Sequence, residues 1–354
     1  MPQTSPARAA ALPFDAVLFV GFGGPNGLDE IRPFLTNVLR GRRIPPARIE
    51  EVAHHYERFG GVSPITAITE RQARALEAAL RGRGLALPVH VGARNWRPML
   101  GDTCRALHAA GARRLLVLIA AAHRSYSSCE QYKQNLWQVQ EELAADGIRP
   151  FDVAYTPDWH LATGVLHAIS ERIDAARATL PEPLQAAARL IFTAHSIPTA
   201  MPAADRYVLQ LRDAATAVAA LQRAADWTLV YQSRSGRPED PWLEPDVNDY
   251  LREARAGGLE AAILMPIGFL ADHVEVLYDL DVEARATADA VGLAMARAEA
   301  VNDHPRFIEA LADGVSETVT RYGRGRPLSI VPAEPPAKRE LPPPVRPATA
   351  SSPR

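Results

Sequence analysis

Residues 261–283 read AAILMPIGFLADHVEVLYDLDVE, an apolar run that changes into a segment with helical spacing. The first seven residues are apolar, as expected for a strand buried on both faces of a parallel sheet. Proline and glycine end the run, and Asp272 is the expected N-cap of a helix that follows. A strand that leads directly into a helix is the repeating unit of an α/β sheet, so this stretch decides the fold class.

The same alternation of apolar strand and helix extends along the chain from this stretch. Strands are expected at residues 16–22, 89–93, 114–121, 151–155, 189–194, 227–232, 261–267 and 293–298, with helices between them. The pattern predicts an α/β fold with two doubly wound, parallel-sheet (Rossmann-like) domains that face each other across a cleft.

The length of 354 residues suits two domains of about 150 residues each. We expect a disordered leader at residues 1–13, a first domain at 14–150 and a second domain at 151–323, whose C-terminal helix can pack back on the first. Nine of the thirty prolines lie after residue 323. Such a composition buries too little apolar surface to offset its ordering entropy, so residues 324–354 are expected to be a disordered, proline-rich tail.

Three carboxylates, Glu275, Asp279 and Glu283, follow the strand at intervals of four residues and therefore lie along one helix face. Like charges at this spacing repel by about 0.2–0.5 kcal/mol per pair. A solvated acidic helix face is one interpretation of this carboxylate row. The position of the row favours a second interpretation, a ligand-binding or catalytic site, because ligand sites in open α/β sheets lie at the carboxyl ends of strands.

A second strand, expected at residues 189–194, delivers His195 at its carboxyl end, directly before Ser-Ile-Pro. Imidazole is the side chain whose ordinary pKa lies closest to neutral pH. If the two strand ends are neighbours, His195 and the carboxylate row would form a site that handles protons or a metal ion.

The composition excludes several function classes. A net charge of −2 with scattered Arg and Lys gives no electrostatic basis for nucleic-acid binding. No apolar run reaches the roughly 18–20 residues of a membrane span, and the N-terminus has no secretory apolar segment, so we expect a cytoplasmic protein. We also expect a monomer. Cys104 and Cys129 are the only cysteines, too few for a four-cysteine zinc site or an iron–sulfur cluster.

Four motifs together resemble those of ferrochelatases, the enzymes that insert ferrous iron into a porphyrin late in haem biosynthesis. They lie at residues 23–25 (GGP), 60–65 (GGVSPI), 193–198 (TAHSIP) and 266–283. They follow the order of the family, and the likeness spans about residues 14–322. The resemblance implies a lyase whose substrates are Fe²⁺ and a porphyrin and which holds no cofactor permanently.

The resemblance also implies roles for individual residues. His195 and Glu275 would be the catalytic residues and the ligands of the entering iron, and Asp279 and Glu283 would conduct protons outward or metal inward. These residue types suit the reaction, because metal insertion removes two pyrrole protons while aquated Fe²⁺ loses its waters. Contacts with the porphyrin are expected from Asn26, Arg42, Tyr56, Ser63 and Tyr132.

The sequence favours coproporphyrin III, which has four propionates, over protoporphyrin IX, which has two. The basic residues within 40–43 (RGRR) and Tyr132 suit the more anionic ring. Asn26, Leu39 and His55 argue for protoporphyrin IX, because some coproporphyrin-type members have a tyrosine or a propionate-binding arginine at these places.

Two other functions stay open at this point. A cobalt or nickel chelatase of another tetrapyrrole pathway would share the fold, although such relatives typically use two metal-binding histidines and lack the GGVSP loop. A non-catalytic haem- or metal-binding protein would have no need of a repulsive carboxylate row. Some ferrochelatases carry a [2Fe-2S] cluster on cysteines near the C-terminus; because no cysteine follows Cys129, we expect no cluster.

Overall fold

A computed structural model describes residues 12–41, 45–235 and 239–325 of the chain. In these residues eight strands form two four-stranded sheets, and every strand pairing is parallel. The strands are β1 (Ala16–Gly21), β2 (Val89–Ala93), β3 (Arg114–Ile119), β4 (Asp152–Tyr155), β5 (Arg189–His195), β6 (Trp227–Gln232), β7 (Ala261–Met265) and β8 (Ala294–Arg297). The predicted α/β class with two parallel sheets is confirmed.

The two sheets have the same topology. The first is ordered β2-β1-β3-β4 and the second β6-β5-β7-β8, so the second half of the chain repeats the strand order of the first. Every residue of β1 and of β7 is buried, as the uninterrupted apolar runs predict. The inner strands β5 and β7 are hydrogen-bonded neighbours, which brings their carboxyl ends together.

Helices connect the strands and pack on both faces of the sheets. Val17 and Phe19 of β1 belong to one buried cluster, whereas Leu18 and Val20 belong to another. The helices are α1 (Ile31–Val38), α2 (Pro46–Arg58), α3 (Ile65–Gly82), α4 (Leu100–Ala109), α5 (Gln131–Ala145), α6 (Thr163–Arg177), α7 (Glu182–Gln185), α8 (Ala204–Leu221), α9 (Val247–Ala256), α10 (Val274–Val276), α11 (Arg285–Val291) and α12 (Pro305–Gly323). Two π-helical segments also occur, at Tyr126–Glu130 and Leu277–Ala284.

The division between the halves lies further along the chain than residue 150. Strand β4 pairs with β3, with Arg114 opposite Asp152 and Val117 opposite Tyr155. The strand that was expected to open the second domain therefore completes the first sheet. Alternation along the chain could not reveal this, because an edge strand has the same composition whichever sheet it joins. We therefore place the division after Tyr155.

The two halves share one core. Helix α12 lies against α6 of its own half and against α3 of the first half. Phe19 and Leu76 of the first half belong to the same buried cluster as Phe192 and Phe307 of the second. Gln72 on α3 also donates hydrogen bonds to the backbone carbonyls of Leu270 and Asn302, at 3.2 and 2.8 Å. The halves are thus held in a fixed orientation.

One local prediction was wrong. Asp272 does not cap the helix after β7, which begins at Val274 without a side-chain cap. Its carboxylate instead pairs with Arg297 at 2.7 Å and accepts a hydrogen bond from Asn302 at 2.8 Å. A buried cation is a stronger partner for a carboxylate than a backbone amide.

Helix α2 was not predicted, because apolar residues are sparse in its sequence, PARIEEVAHHYER. Its first residue is Pro46, which is compatible with a helix start because the first turn does not need that backbone N–H. This helix brings His55 and Tyr56 toward the second half, where α10 lies against it.

Candidate active site

His195 and Glu275 form an ion pair where β5 ends. His195 Nε2 lies 3.1 Å from Glu275 Oε1, and the two side chains are 35% and 40% exposed, so the pair is partly open to solvent. The other ring nitrogen of His195, Nδ1, contacts the backbone carbonyl of Ser196. A carbonyl oxygen only accepts, so Nδ1 carries a proton and Nε2 is the atom that exchanges one.

Close backbone packing brings the two residues together. Gly268, in the loop after β7, donates its N–H to the Thr193 carbonyl of β5 at 3.1 Å. A Cβ on Gly268 would lie 2.8 Å from the Cβ of Ala194, closer than side-chain atoms approach. Only glycine lets this loop lie directly on the end of β5, and the loop leads to α10 and Glu275.

His195 and Glu275 shift each other's pKa values. Burial alone would lower the pKa of His195, but the charge and hydrogen bond of Glu275 raise it above its ordinary value. Burial alone would raise the pKa of Glu275, but His195, and then His273 and Ser233, lower it below its usual range. At neutral pH one proton is therefore held on the imidazole beside a carboxylate anion.

The carboxylate row continues from Glu275 along the π-helical segment Leu277–Ala284, which we call the π segment. Asp279 is 8% exposed, whereas Glu283 is exposed at the surface. Burial and the charge of Glu275 raise the pKa of Asp279 well above its usual range, although hydrogen bonds from Ser233 and Gln232 offset part of the shift. The row thus joins the His195–Glu275 pair to the surface through a carboxyl group that readily holds a proton.

Three residues of this site were missed by the sequence analysis. Gln232 Nε2 donates to Asp279 at 3.2 Å, and the Ser233 hydroxyl donates to the same oxygen. Ser233 has a left-handed backbone (φ 64°), which is uncommon for serine. His273 packs its ring against Phe269, with centroids 5.2 Å apart. The available signal was position, because Gln232 ends β6 as His195 ends β5.

Tyr56 reaches the site from the first half. Its ring packs edge-on against Phe34, with centroids 5.6 Å apart. Burial and the nearby charge of Glu275 raise the pKa of its phenol, so the hydroxyl stays protonated. The structure therefore brings Tyr56 together with Glu275.

Asn26 and Ser63 lie on two loops that are joined to each other. The backbone N–H of Ser63 donates to the Pro25 carbonyl at 2.8 Å, and Asn26 forms an antiparallel bridge with Val62. Asn26 is exposed, whereas Ser63 is 2% exposed and packs against Gly24, where a Cβ would lie 2.7 Å from its own. Asn26 is open to a ligand; Ser63 joins the loops.

Two further porphyrin contacts were expected, Tyr132 and Arg42. Tyr132 is buried, and Arg42 lies outside the described residues. Tyr132 is 6% exposed in the core of the first half, and the Arg94 guanidinium carbon lies 5.3 Å from the centre of its ring. Burial raises the pKa of its phenol to about 12.

The residues that could bind iron at this site are few. Among residues 12–41, 45–235 and 239–325, no three His, Cys, Asp or Glu side chains are grouped to hold a metal ion. His195 and Glu275 offer two ligands, and Fe²⁺ accepts imidazole and carboxylate alike. Cys104 and Cys129 are both buried and unpaired with each other. No helix in the described part of the chain is long and apolar enough to cross a membrane.

Solved structures with a similar fold include SirB from Bacillus subtilis with Fe³⁺. The TM-score is 0.54 with 12% sequence identity, over 88% of this chain and 97% of that one. The sirohydrochlorin chelatase SirB from Bacillus subtilis subspecies spizizenii, in complex with cobalt, gives a TM-score of 0.51 with 11% identity. At these identities the likeness concerns the fold alone.

Sequence relatives are much closer. The coproporphyrin III ferrochelatase of Streptomyces griseus is 44% identical over 332 residues, 88% of each chain. That of Mycobacterium marinum is 45% identical over 316 residues, again 88% of each, and the ferrochelatase of Rhodopirellula baltica is 42% identical over 306 residues, 86% of each. The family model described as Ferrochelatase matches residues 14–319. The chain therefore belongs to the ferrochelatase family.

Proposed function

We propose that this protein is a lyase that inserts Fe²⁺ into coproporphyrin III and releases two protons. The observation that carries the proposal is the ion pair of His195 with Glu275, partly open to solvent and continued by a buried carboxyl at Asp279. Relatives at 44% and 45% identity are named coproporphyrin III ferrochelatases, which favours this porphyrin over protoporphyrin IX.

The first proton transfer follows from the charges of the pair. Glu275 raises the pKa of His195, so the free site holds a protonated imidazole. When Fe²⁺ approaches the Glu275 carboxylate, its positive charge opposes that effect and lowers the pKa of the imidazole. The imidazole releases its proton to solvent, because its side chain is partly exposed, and Nε2 of His195 becomes the base that takes a proton back from a pyrrole N–H, which restores the starting charge of the pair.

The second proton needs another acceptor, since one imidazole nitrogen takes only one. Asp279 is suited to this role because burial and Glu275 raise its pKa, so that it binds a proton more readily than an exposed aspartate. Glu283, exposed at the outer end of the row, would release protons to solvent or receive the entering metal. Two pyrrole protons leave and one Fe²⁺ enters, so charge is balanced.

Asn26 and Tyr56 are the proposed porphyrin contacts with the best support. Asn26 is exposed on its loop, and Tyr56 lies near Glu275. Ser63 and Tyr132 are buried, so we propose that they support the residues around the porphyrin and do not contact its propionates directly. Arg42 stays a proposal from the sequence.

We further propose that the enzyme acts as a cytoplasmic monomer with no resident cofactor. Coproporphyrin III carries four carboxylates and is water-soluble, which suits a cytoplasmic site. A [2Fe-2S] cluster requires four ligands, and two separate cysteines cannot supply them. Sedimentation of the purified protein would test the monomer, and its absorbance spectrum would reveal any cluster.

The direct test of substrate is anaerobic Fe²⁺ insertion followed by absorbance, with coproporphyrin III and protoporphyrin IX compared at matched concentrations. We expect kcat/KM to be higher for coproporphyrin III. A preference of about tenfold for protoporphyrin IX, about 1.4 kcal/mol, would overturn this choice and support the argument from Asn26, Leu39 and His55. Co²⁺ insertion into sirohydrochlorin with no iron insertion would instead indicate a chelatase of another tetrapyrrole pathway.

A further inference from the structure

His55 and Tyr278 form a face-to-face ring contact between the two halves. Their ring centroids are 3.5 Å apart and the planes differ by 11°. His55 belongs to α2 of the first half, and Tyr278 belongs to the π segment of the second. Tyr278 lies between Glu275 and Asp279 in sequence, so the contact is made within the stretch that carries the carboxylates.

The π segment needs support from its neighbours. A π-helix has a wider turn than an α-helix and is rare, so it persists where surrounding contacts hold it. From the side of the second sheet, Gln232 and Ser233 hold Asp279 by hydrogen bonds. From the side of the first half, the His55 ring lies on Tyr278. The segment is therefore held from two sides, and His55 supplies the contact that comes from the other half.

The contact depends on the ring of His55 rather than on its charge. Burial and the nearby Arg48 lower the pKa of this imidazole, which keeps it neutral at physiological pH. The charges that act on the pKa of His55 or of Tyr278 come from Arg48, Glu51, His54, Arg58, Glu275, Asp279 and Glu283. Aromatic pairs stabilise a structure beyond the area they bury.

We propose that His55 is a positioning residue for iron insertion: by stacking on Tyr278 it fixes the π segment, so that Glu275 stays paired with His195 and Asp279 stays bound by Gln232 and Ser233. The inference rests on the proposed function and adds a residue to it. His55 touches neither iron nor the reacting nitrogens in this role, so its loss should lower kcat while porphyrin binding is retained.

The test compares His55→Ala, which removes the ring, with His55→Phe, which keeps a ring but no titratable nitrogen. We expect His55→Ala to lower kcat by about tenfold with KM within about twofold of the wild type, and His55→Phe to restore kcat. His54→Ala is the matched control, because the neighbouring side chain is 68% exposed and pairs with Glu57 on the same helix. That variant should retain wild-type kcat.

Amide hydrogen exchange supplies a readout that does not depend on turnover. His55→Ala should speed exchange at Leu277–Ala284 and leave the amides of β1 unchanged, and Tyr278→Ala should do the same with no further increase in the double variant. Unchanged exchange and unchanged kcat in His55→Ala would overturn the proposal. Failure of His55→Phe to restore either would also overturn it, since the ring would not be the active feature. An inactive wild type would instead refute the proposed function, while exchange would still test the stack.

Discussion

At the scale of single residues, the proposed chemistry depends on the charges that His195, Glu275 and Asp279 impose on one another. Glu275 raises the pKa of the imidazole, and His195 lowers that of the carboxylate in return. The same negative charge, together with burial, raises the pKa of Asp279. The site therefore contains one carboxylate that stays ionised and one that readily binds a proton, a division of roles that acid–base catalysis requires.

Glu275→Gln tests the ionised carboxylate with little change in shape. We expect kcat to fall by about 100-fold or more, because the amide neither binds a proton nor balances the charge of Fe²⁺. The Kd for coproporphyrin III, measured by fluorescence quenching, should stay within about threefold. Equal losses in kcat and in porphyrin affinity would instead identify Glu275 as a binding residue.

Asp279→Asn tests the raised pKa through protein stability. A carboxyl whose folded pKa lies above its unfolded value favours folding at low pH, and its contribution is lost as pH rises through the folded pKa. Asp279 should therefore contribute less to stability at pH 8 than in acid, and Asp279→Asn should gain about 1–2 kcal/mol relative to the wild type over this range, since an amide oxygen still accepts from Gln232 and Ser233. Urea unfolding at several pH values measures this, with Asp289→Asn as the control, because Asp289 is an exposed residue of α11. An identical pH dependence in wild type and Asp279→Asn would refute it.

The residues at the strand ends were predictable, but the residues that hydrogen-bond to the carboxylate row were not. His195 and Glu275 follow apolar strands, so the pattern of the chain pointed to them. The roles of Gln232 and Ser233 depend on a left-handed backbone at Ser233 that no spacing rule reveals. Tyr132 illustrates the opposite case, because the family resemblance implied a porphyrin contact while the structure buries it under Arg94.

At the scale of elements, the decisive feature is the transition from the loop after β7 into α10 and the π segment. Periodicity predicted one regular helix capped by Asp272. The helix begins one residue later, at Val274 with His273 in the N-cap position, because Asp272 is bound by Arg297, and its turns widen after Val276. Neither effect is local in sequence, since Arg297 belongs to β8 and the π segment is supported by α2 and β6.

Arg297→Ala should be strongly destabilising. Arg297 and Asp272 are 12% and 11% exposed, and Arg297 also pairs with Asp281 at 2.6 Å. Removing the guanidinium leaves a buried carboxylate without its counter-charge, which costs about 3–5 kcal/mol. The free energy of unfolding in urea measures the loss.

Arg252→Ala is the matched control for that variant. Arg252 pairs with Asp249 at 2.9 Å, but these side chains are 56% and 77% exposed. A surface pair of this kind contributes about 0–1 kcal/mol. If both arginine variants lost the same stability, the buried network around Asp272 would not be what fixes the loop before α10.

At the scale of the whole molecule, two copies of one strand order are joined by a shared core. Fold class and the presence of two parallel sheets were predictable because apolar runs, turns and chain length all pointed the same way. The position of β4 in the first sheet was not predictable, because the pairing partner of an edge strand depends on tertiary packing. Packing of α12 against both α3 and α6 makes the cleft a fixed feature of the fold.

The shared core implies that the halves unfold together. Phe307 on α12 is fully buried and packs against Trp159, with ring centroids 5.6 Å apart. We expect one cooperative transition by both circular dichroism and tryptophan fluorescence, and a loss of about 3–5 kcal/mol in Phe307→Ala without a second transition. Two separated transitions in the wild type would show that the halves are independent.

The most direct test of the whole account is the rate of anaerobic Fe²⁺ insertion into coproporphyrin III by the wild type and by His195→Ala. The wild type should turn over. The variant should lose about 100-fold or more in kcat, the range for removal of a general base, while retaining its fold and its affinity for the porphyrin. Turnover by a folded His195→Ala protein within about threefold of the wild-type rate would contradict the assignment of His195, and with it the site described here.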